Sequence, residues 1–344
     1  MENNLRSKVA IIIFTLNRPD FVIRQLEYYA KVKCPHPIYI GDSSNEENKK
    51  KLQAVIKKLD QHLTINYYAQ PENWTIQKSS LDLQGNVKEK YCVFSGDDDY
   101  QIPNSITKCA EFLENNPEYS SASGYSITFR LTNKEVYGEL QRLGDYPRQQ
   151  IESSTAAQRM VDFMGKFNIT EFSVQKTEQL PKCWSSDDIK DPAFANDIMS
   201  SAMGVVLGKS KVLDCLSFIK QIDNSKSTVP NVFEWVTSKE WNPSFNIFCE
   251  IFAKEISATD GITVDKARKI TEQAVWTYLN IWLPYYYKKI YGSGKKNSLL
   301  SKLKKKIYLK IKPPLYRQVV RPSSPYYKDF QPVFDSFTGK YHEH

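Results

Sequence analysis

Residues 9–14 read Val, Ala, Ile, Ile, Ile, Phe: an unbroken apolar run rich in β-branched side chains. Nothing in it alternates with polar residues, so it suits a central parallel strand covered on both faces. Thr15, Leu16, Asn17, Arg18, Pro19 and Asp20 interrupt it. A helical pattern through Phe21, Ile23, Arg24, Leu26 and Glu27 follows, with Pro19 near its first turn. The alternation then repeats. Residues 37–40 predict a second strand that ends in Gly41, Asp42, Ser43 and Ser44. Residues 45–59 predict a helix with Leu52, Val55, Ile56 and Leu59 on one face. Residues 63–68, 75–87 and 91–94 predict a third strand, a third helix and a fourth strand. This order implies an α/β fold built on a parallel sheet with right-handed crossovers.

In such sheets ligands bind beyond the carboxyl ends of the strands. The fourth predicted strand runs directly into Ser95, Gly96, Asp97, Asp98, Asp99 and Tyr100. Three adjacent carboxylates at the end of a buried strand repel one another, and burial raises the cost. A divalent cation relieves it, and Mg²⁺ or Mn²⁺ is commonly held by one or two carboxylates plus substrate phosphates. A solvated acidic turn is the plainer reading; the position after an apolar strand favours the metal. Residues 15–18, Asp42, Ser43 and the acid triplet all fall at strand ends, so they can converge on one cleft. Neither G-x-G-x-x-G nor G-x-x-x-x-G-K-[ST] occurs, which argues against dinucleotide-fingerprint and P-loop sites.

Further on, residues 106–115 predict a helix and 121–129 a strand, with 136–137 as its hairpin partner. Residues 139–154 read as a loop, 155–165 as a helix and 169–174 as a strand. Cys183, Trp184, Asp187 and Asp188 then lead to Ala195, Asn196 and Asp197, before an apolar helix at 198–207. Beyond about residue 225, two aromatic-rich helices are expected at 233–256, interrupted at Pro243, and at 263–282.

The order of these pieces resembles the family-2 glycosyltransferases of the GT-A fold, of the bacterial surface-glycan type. The matching segments are residues 9–21, 38–44, 93–103 and 195–197, and the resemblance spans about residues 8–210. It implies a GT-A (Rossmann-like) mixed, mainly parallel sheet flanked by helices, with a mostly helical C-terminal region. It further implies inverting transfer of a sugar from a nucleotide-diphosphate donor, UDP-sugars being favoured, to a hydroxyl of a glycan or lipid-linked acceptor, with Mn²⁺ or Mg²⁺ as cofactor. By resemblance, Asp97 and Asp99 form the D-x-D that meets metal and donor sugar, with Asp98 the alternative. Thr15, Asn17, Arg18, Asp42, Ser43, Asp97 and Asp98 line the nucleotide site. The family's usual Glu-Asp pair is Asn196-Asp197 here, so Asp197 is the expected general base; its plainer role is an N-cap of the helix at 198. Asp187 and Asp188 compete for the role of base. Trp184 is a candidate stacking surface for an acceptor sugar, a core tryptophan being the plain alternative. A sugar nucleotidyltransferase, or a non-catalytic nucleotide-sugar binder, would be the other reading. The former needs an early basic phosphate loop, and only Arg18 is present there.

The expected units are 1–225 (catalytic), 226–292 (helical, acceptor side) and 293–344 (basic helix and tail). Of 47 Lys and Arg in the chain, 13 lie between residues 288 and 328, where no Asp or Glu occurs. Within this stretch Leu300, Leu303, Ile307 and Ile311 share a helical stripe. A short apolar face under a cationic one suits an anionic membrane surface, with packing on the protein body the next alternative and nucleic-acid binding the last. The six cysteines are scattered without a C-x-x-C pair, which favours a reducing compartment. No stretch reaches 18 apolar residues and the first residues are polar, so neither a membrane span nor a signal peptide is expected. The expected location is therefore cytoplasmic, peripheral on the inner face of the membrane. His342 is expected at a frayed terminus rather than as a late metal ligand.

Overall fold

The computed structural model describes residues 8–133, 135–167, 170, 172–184, 189–222, 232–292 and 314–342. Among the described residues nine strands form one sheet: β1 (Val9–Thr15), β2 (Ile38–Asp42), β3 (Ile65–Ala69), β4 (Tyr91–Ser95), β5 (Tyr100–Gln101), β6 (Tyr119–Leu131), β7 (Leu140–Tyr146), β8 (Val174–Lys176) and β9 (Lys209–Gln221). Their order is β3-β2-β1-β4-β8-β6-β9-β5, with β7 paired to β6. The strands β3, β2, β1 and β4 are parallel, as the βα alternation predicts. β1, β2 and β4 are buried throughout, apart from half-buried Phe14. The register aligns their carboxyl ends: Thr15 is level with Asp42, and Ile13 with Ser95.

Helices α1 (Pro19–Lys31), α2 (Glu46–Leu59), α3 (Ile76–Gln84) and α4 (Pro103–Asn115) connect the first strands. α1 and α4 carry proline in the first turn, where no intrahelical donor is lost. α2 and α3 are capped by Asn45 and Thr75, whose side chains accept from the third backbone N–H onward.

The second half departs from expectation at three places. The hairpin partner of β6 is β7, within the stretch read as a loop, and not residues 136–137; a bulge between Arg130 and Leu131 sets its register. The strand expected at 169–174 is the short β8. β9 was not expected at all: it is a mixed polar and apolar sequence that pairs parallel to β6 across about ninety residues. Long-range pairing of this kind leaves no local alternation to read.

Two cores sandwich the sheet. One lies under α5 (Ala156–Met164), α6 (Leu180–Trp184), α7 (Met199–Leu207), α8 (Val232–Val236), α9 (Trp241–Asp260) and α10 (Val264–Tyr291). Pro243 does not interrupt α9; it sits in the first turn, and the break falls before Trp241. α10 runs on through Pro284 to Tyr291. The other core receives α11 (Leu315–Gln318) and α12 (Tyr327–Phe337). α12 buries Phe330, Val333 and Phe337, the last stacked on Phe129 with centroids 4.5 Å apart. His342 is not frayed: its Nδ1 lies 3.2 Å from Glu27 Oε1 and 3.2 Å from Tyr137 Oη.

Candidate active site

The end of β4 turns sharply at Ser95 and Gly96. Asp99 N–H donates to the Gly96 carbonyl (3.2 Å), which folds the triplet back on itself. A β-carbon at Gly96 would come within 2.7 Å of Asp99 Oδ2, so glycine is what allows the carboxylate this close to the chain.

The three carboxylates face different partners. Asp97 accepts from Thr15 Oγ1 (3.1 Å) and from Arg18 Nη1 (2.7 Å). Asp98 accepts from Arg18 Nη2 at 2.8 Å and is partly open to solvent. Arg18 thus spans two adjacent carboxylates with its two terminal nitrogens, and its guanidinium carbon lies 4.2 Å over the Phe21 ring. Asp99 turns inward: Gln221 N–H donates to Oδ1 (2.9 Å), and Lys220 Nζ is 3.4 Å from Oδ2. Burial pushes the Asp97 carboxyl up to about 7 against the pull of Arg18, and Asp99 up to about 6 against that of Lys220. Both carboxyls are held where a proton or a cation is welcome.

The loop backbone is gripped from α1. The Gln25 amide nitrogen lies 2.8 Å from Ser95 Oγ, 3.1 Å from the Gly96 carbonyl and 2.6 Å from the Asp99 carbonyl. Arg24 has no exposed surface; it donates to the Asp98 carbonyl (2.8 Å) and to the Val136 carbonyl, with Phe21 and Tyr100 rings about it. Neither residue was expected at the site. An arginine and a glutamine on the apolar side of α1 were the available signal, because a buried polar group needs a partner.

The neighbouring strand ends are tied into the same floor. Asn17 takes φ 56°, a conformation asparagine tolerates, and its Oδ1 accepts from Asn45 N (2.9 Å) and Asn48 Nδ2 (3.1 Å). Asp42 is buried and accepts from Ser44 N (2.9 Å) and Tyr67 Oη (2.9 Å). Ser43 Oγ lies between Gln70 Oε1 and Ser79 Oγ. Thr15, Asn17, Arg18, Asp42, Ser43, Asp97 and Asp98 are therefore gathered at one edge of the sheet, with Asn17 exposed and Arg18 and Asp98 half-buried.

Asp197 lies inside a π-helical turn, Phe194–Ile198, that runs into α7. It is not an N-cap, since the helical run already begins at residue 192. The run is capped at its head by Asp191, whose Oδ1 accepts from Ala193 N and Phe194 N at 3.0 Å, while Trp235 Nε1 donates to both its oxygens. π-turns of this kind are frequent at functional sites. Trp184 is buried with its ring 5.3 Å from Phe94, and its Nε1 has no hydrogen bond among the described residues. Asp187 and Asp188 lie outside the described residues, as do the side chain of Asp197 and the stripe of Leu300, Leu303, Ile307 and Ile311. A groove of about 1130 Å³ opens elsewhere, between α1, α2 and Tyr341, and none of the expected site residues lines it.

No protein-family model and no curated protein matches the sequence. Solved structures do. Staphylococcus aureus TarS residues 1–349 in complex with UDP-GlcNAc aligns over 96% of this chain and 89% of that one, with TM-score 0.52 and 12% identity. A longer TarS chain aligns over 96% of this chain and 54% of its own length, with TM-score 0.50 and 12% identity. The chain has the GT-A fold. In that fold, as here, the mainly parallel sheet presents its strand ends along one edge, and the helical C-terminal region packs on the sheet. Among the described residues no helix is long and apolar enough to cross a membrane.

Proposed function

We propose that this chain is an inverting glycosyltransferase that moves a sugar from a nucleotide-diphosphate donor to a hydroxyl of a glycan or lipid-linked acceptor. The observation that carries it is the acid triplet at the carboxyl end of β4, with Arg18 spanning Asp97 and Asp98 at the mouth of the β1 turn. A donor diphosphate brings two or more negative charges to this edge. Arg18 can exchange a carboxylate for phosphate oxygens, since both suit its fork.

The residues present fit a hard divalent cation. The donor set is all oxygen, burial leaves Asp97 short of compensation, and Asp98 uses only Oδ2 among the described residues. The expected metal pair was Asp97 with Asp99. Both oxygens of Asp97 and of Asp99 already face donors. The partner on Asp97 Oδ1 is the partly open Arg18, which a cation can displace, whereas Asp99 is held by the Gln221 backbone and Lys220; this favours Asp97 with Asp98. When bound, Mn²⁺ or Mg²⁺ stabilises the charge that develops on the leaving diphosphate.

In the reaction, the acceptor oxygen bonds to the anomeric carbon while that carbon's bond to the diphosphate oxygen breaks. The hydroxyl proton goes to the Asp197 carboxylate, on the side opposite the leaving group, and configuration inverts. Asp42 and the β1 turn hold the nucleoside. TarS was captured with UDP-GlcNAc, so UDP-sugars are the first donors to try.

The test is a thermal-shift panel of UDP-, GDP-, CMP- and dTDP-sugars with Mn²⁺ or Mg²⁺, followed by NMR of the product's anomeric configuration. Asp197→Asn should lower kcat by about 10²–10⁴-fold with donor affinity kept. Turnover near wild type in that variant would remove Asp197 from the role, and a product with retained configuration would overturn the mechanism.

A further inference from the structure

The exposed apolar side chains at the end of α10 form a surface that neither the donor site nor the core uses. Trp276 is 53% exposed, Tyr287 61%, Ile290 52% and Tyr291 70%. At 3.6 residues per turn these four fall within an arc of about 100°, along roughly 22 Å of helix. The side of α10 that packs adjoins this stripe: Val275 and Leu279 are buried and Tyr278, Trp282 and Tyr286 lean on the same core. The exposed stripe is thus a second apolar face on a helix whose core contacts are already made. Tyr287 and Tyr291 lie one turn apart with centroids 5.1 Å from each other.

Charge points to the occupant. From Gln273 to Tyr291 there is no acidic residue, and the exposed Lys288 sits among the exposed aromatics. Immediately beyond, residues 293–313 carry eight lysines and no Asp or Glu. Tyrosine and tryptophan prefer the headgroup level of a bilayer, and each nearby lysine adds attraction to anionic lipid. A second copy of this chain would bring the same positive charge to the contact and be repelled. We infer that the Trp276, Tyr287, Ile290 and Tyr291 face of α10 lies on an anionic membrane surface, its aromatics in the headgroup region. This does not rest on the donor-site reading; it gives the expected membrane association a defined contact surface.

The test uses the full chain with vesicles of pure phosphatidylcholine or with added phosphatidylglycerol, at low and high salt. Wild type should sediment with the anionic vesicles, less so at high salt, and not with the neutral ones. The triple variant Tyr287→Ser, Ile290→Ser, Tyr291→Ser should lose at least about tenfold in partitioning, since interfacial binding scales with the apolar area buried. Tyr285→Ser, 56% exposed but on the far side of the helix from the stripe, should bind like wild type. Quenching of Trp276 by brominated lipid gives a second readout that needs no substitution at the stripe. Equal partitioning of wild type and triple variant, failure of wild type to bind, or vesicle-free dimerisation that the triple variant abolishes would each overturn the proposal.

Discussion

The hydroxyl of Tyr100, the first residue after the acid triplet, lies 3.0 Å from that of Ser336, which is 236 residues away in sequence. Ser336 in turn reaches the carbonyl of Arg24 at 3.4 Å, and Arg24 holds the carbonyl of Asp98. The far end of the described chain therefore braces the loop at which the chemistry is placed.

If that brace matters, its energetic centre is the ring stack beside it. Phe337 is fully buried against Phe129. Phe337→Ala should cost about 3–5 kcal/mol in global stability, whereas Ser336→Ala should cost about 1 kcal/mol. Denaturant unfolding measures both. Amide exchange at residues 96–101 should quicken more in Ser336→Ala than exchange in β2, and uniform protection would show that the contact is not transmitted to the loop.

Arg24 is the more consequential group. Arg24→Met strands the carbonyls of Asp98 and Val136 in a buried setting, each worth about 1–3 kcal/mol. We expect a lower Tm together with weaker Mn²⁺ and donor binding, because the Asp98 carboxylate moves with its backbone. Arg24→Lys keeps the charge but cannot serve both carbonyls from a fixed fork, so it should recover part of the Tm and little of the binding. Calorimetry of metal binding separates the two effects. Binding intact beside a large drop in Tm would make Arg24 a packing residue alone.

The carboxyls raised by burial fix a sign for pH dependence. Asp97 sits at about 7 and Asp99 at about 6 in the folded chain, above the value near 3.9 for an unfolded aspartate. A group raised on folding favours the folded state most below its unfolded pKa and loses that advantage as pH rises through its folded pKa. The metal-free protein should gain stability between about pH 8 and pH 5 relative to Asp97→Asn, which lacks the ionisation. Metal affinity should move the other way and fall across the same window, since the cation takes the deprotonated oxygens. Denaturant midpoints with and without Mn²⁺ follow both trends; a wild-type minus variant difference that is flat in pH would contradict the assignment.

How much of this was written in the chain depends on whether the cause is local. β1, β2 and β4 are continuous apolar runs because they are buried on both faces, and such runs show plainly in sequence. The acid triplet after β4 is legible for the same reason: its cost follows from its own neighbours. β9 is not legible, since its partner β6 lies far off and its own residues mix lysine and serine with leucine and isoleucine. Arg24 and Gln25 show in the sequence only as polar residues on the apolar side of a helix; what they hold is not visible until the fold carries them to residues 95–99. Asp191 was passed over although its cap bonds to Ala193 N and Phe194 N are local; what the sequence hides is its tie to Trp235 on another helix. The inward turn of Asp99 depends in the same way on where β9 ends.

The brace from α12 also bears on how the molecule is made. Synthesis runs from β1 onward, so the acid loop and the nine strands leave the ribosome long before Tyr327. A growing chain can complete its sheet and present Asp97 and Asp98 while Tyr100 and Phe129 still lack their covering ring. During that interval the apolar face that Phe330, Val333 and Phe337 will fill is open to water and to other chains. Proper assembly of the acid loop is thus a late event in translation, and a pause or premature stop before residue 327 should yield a protein with a nearly complete sheet and a loosened loop at residues 96–100.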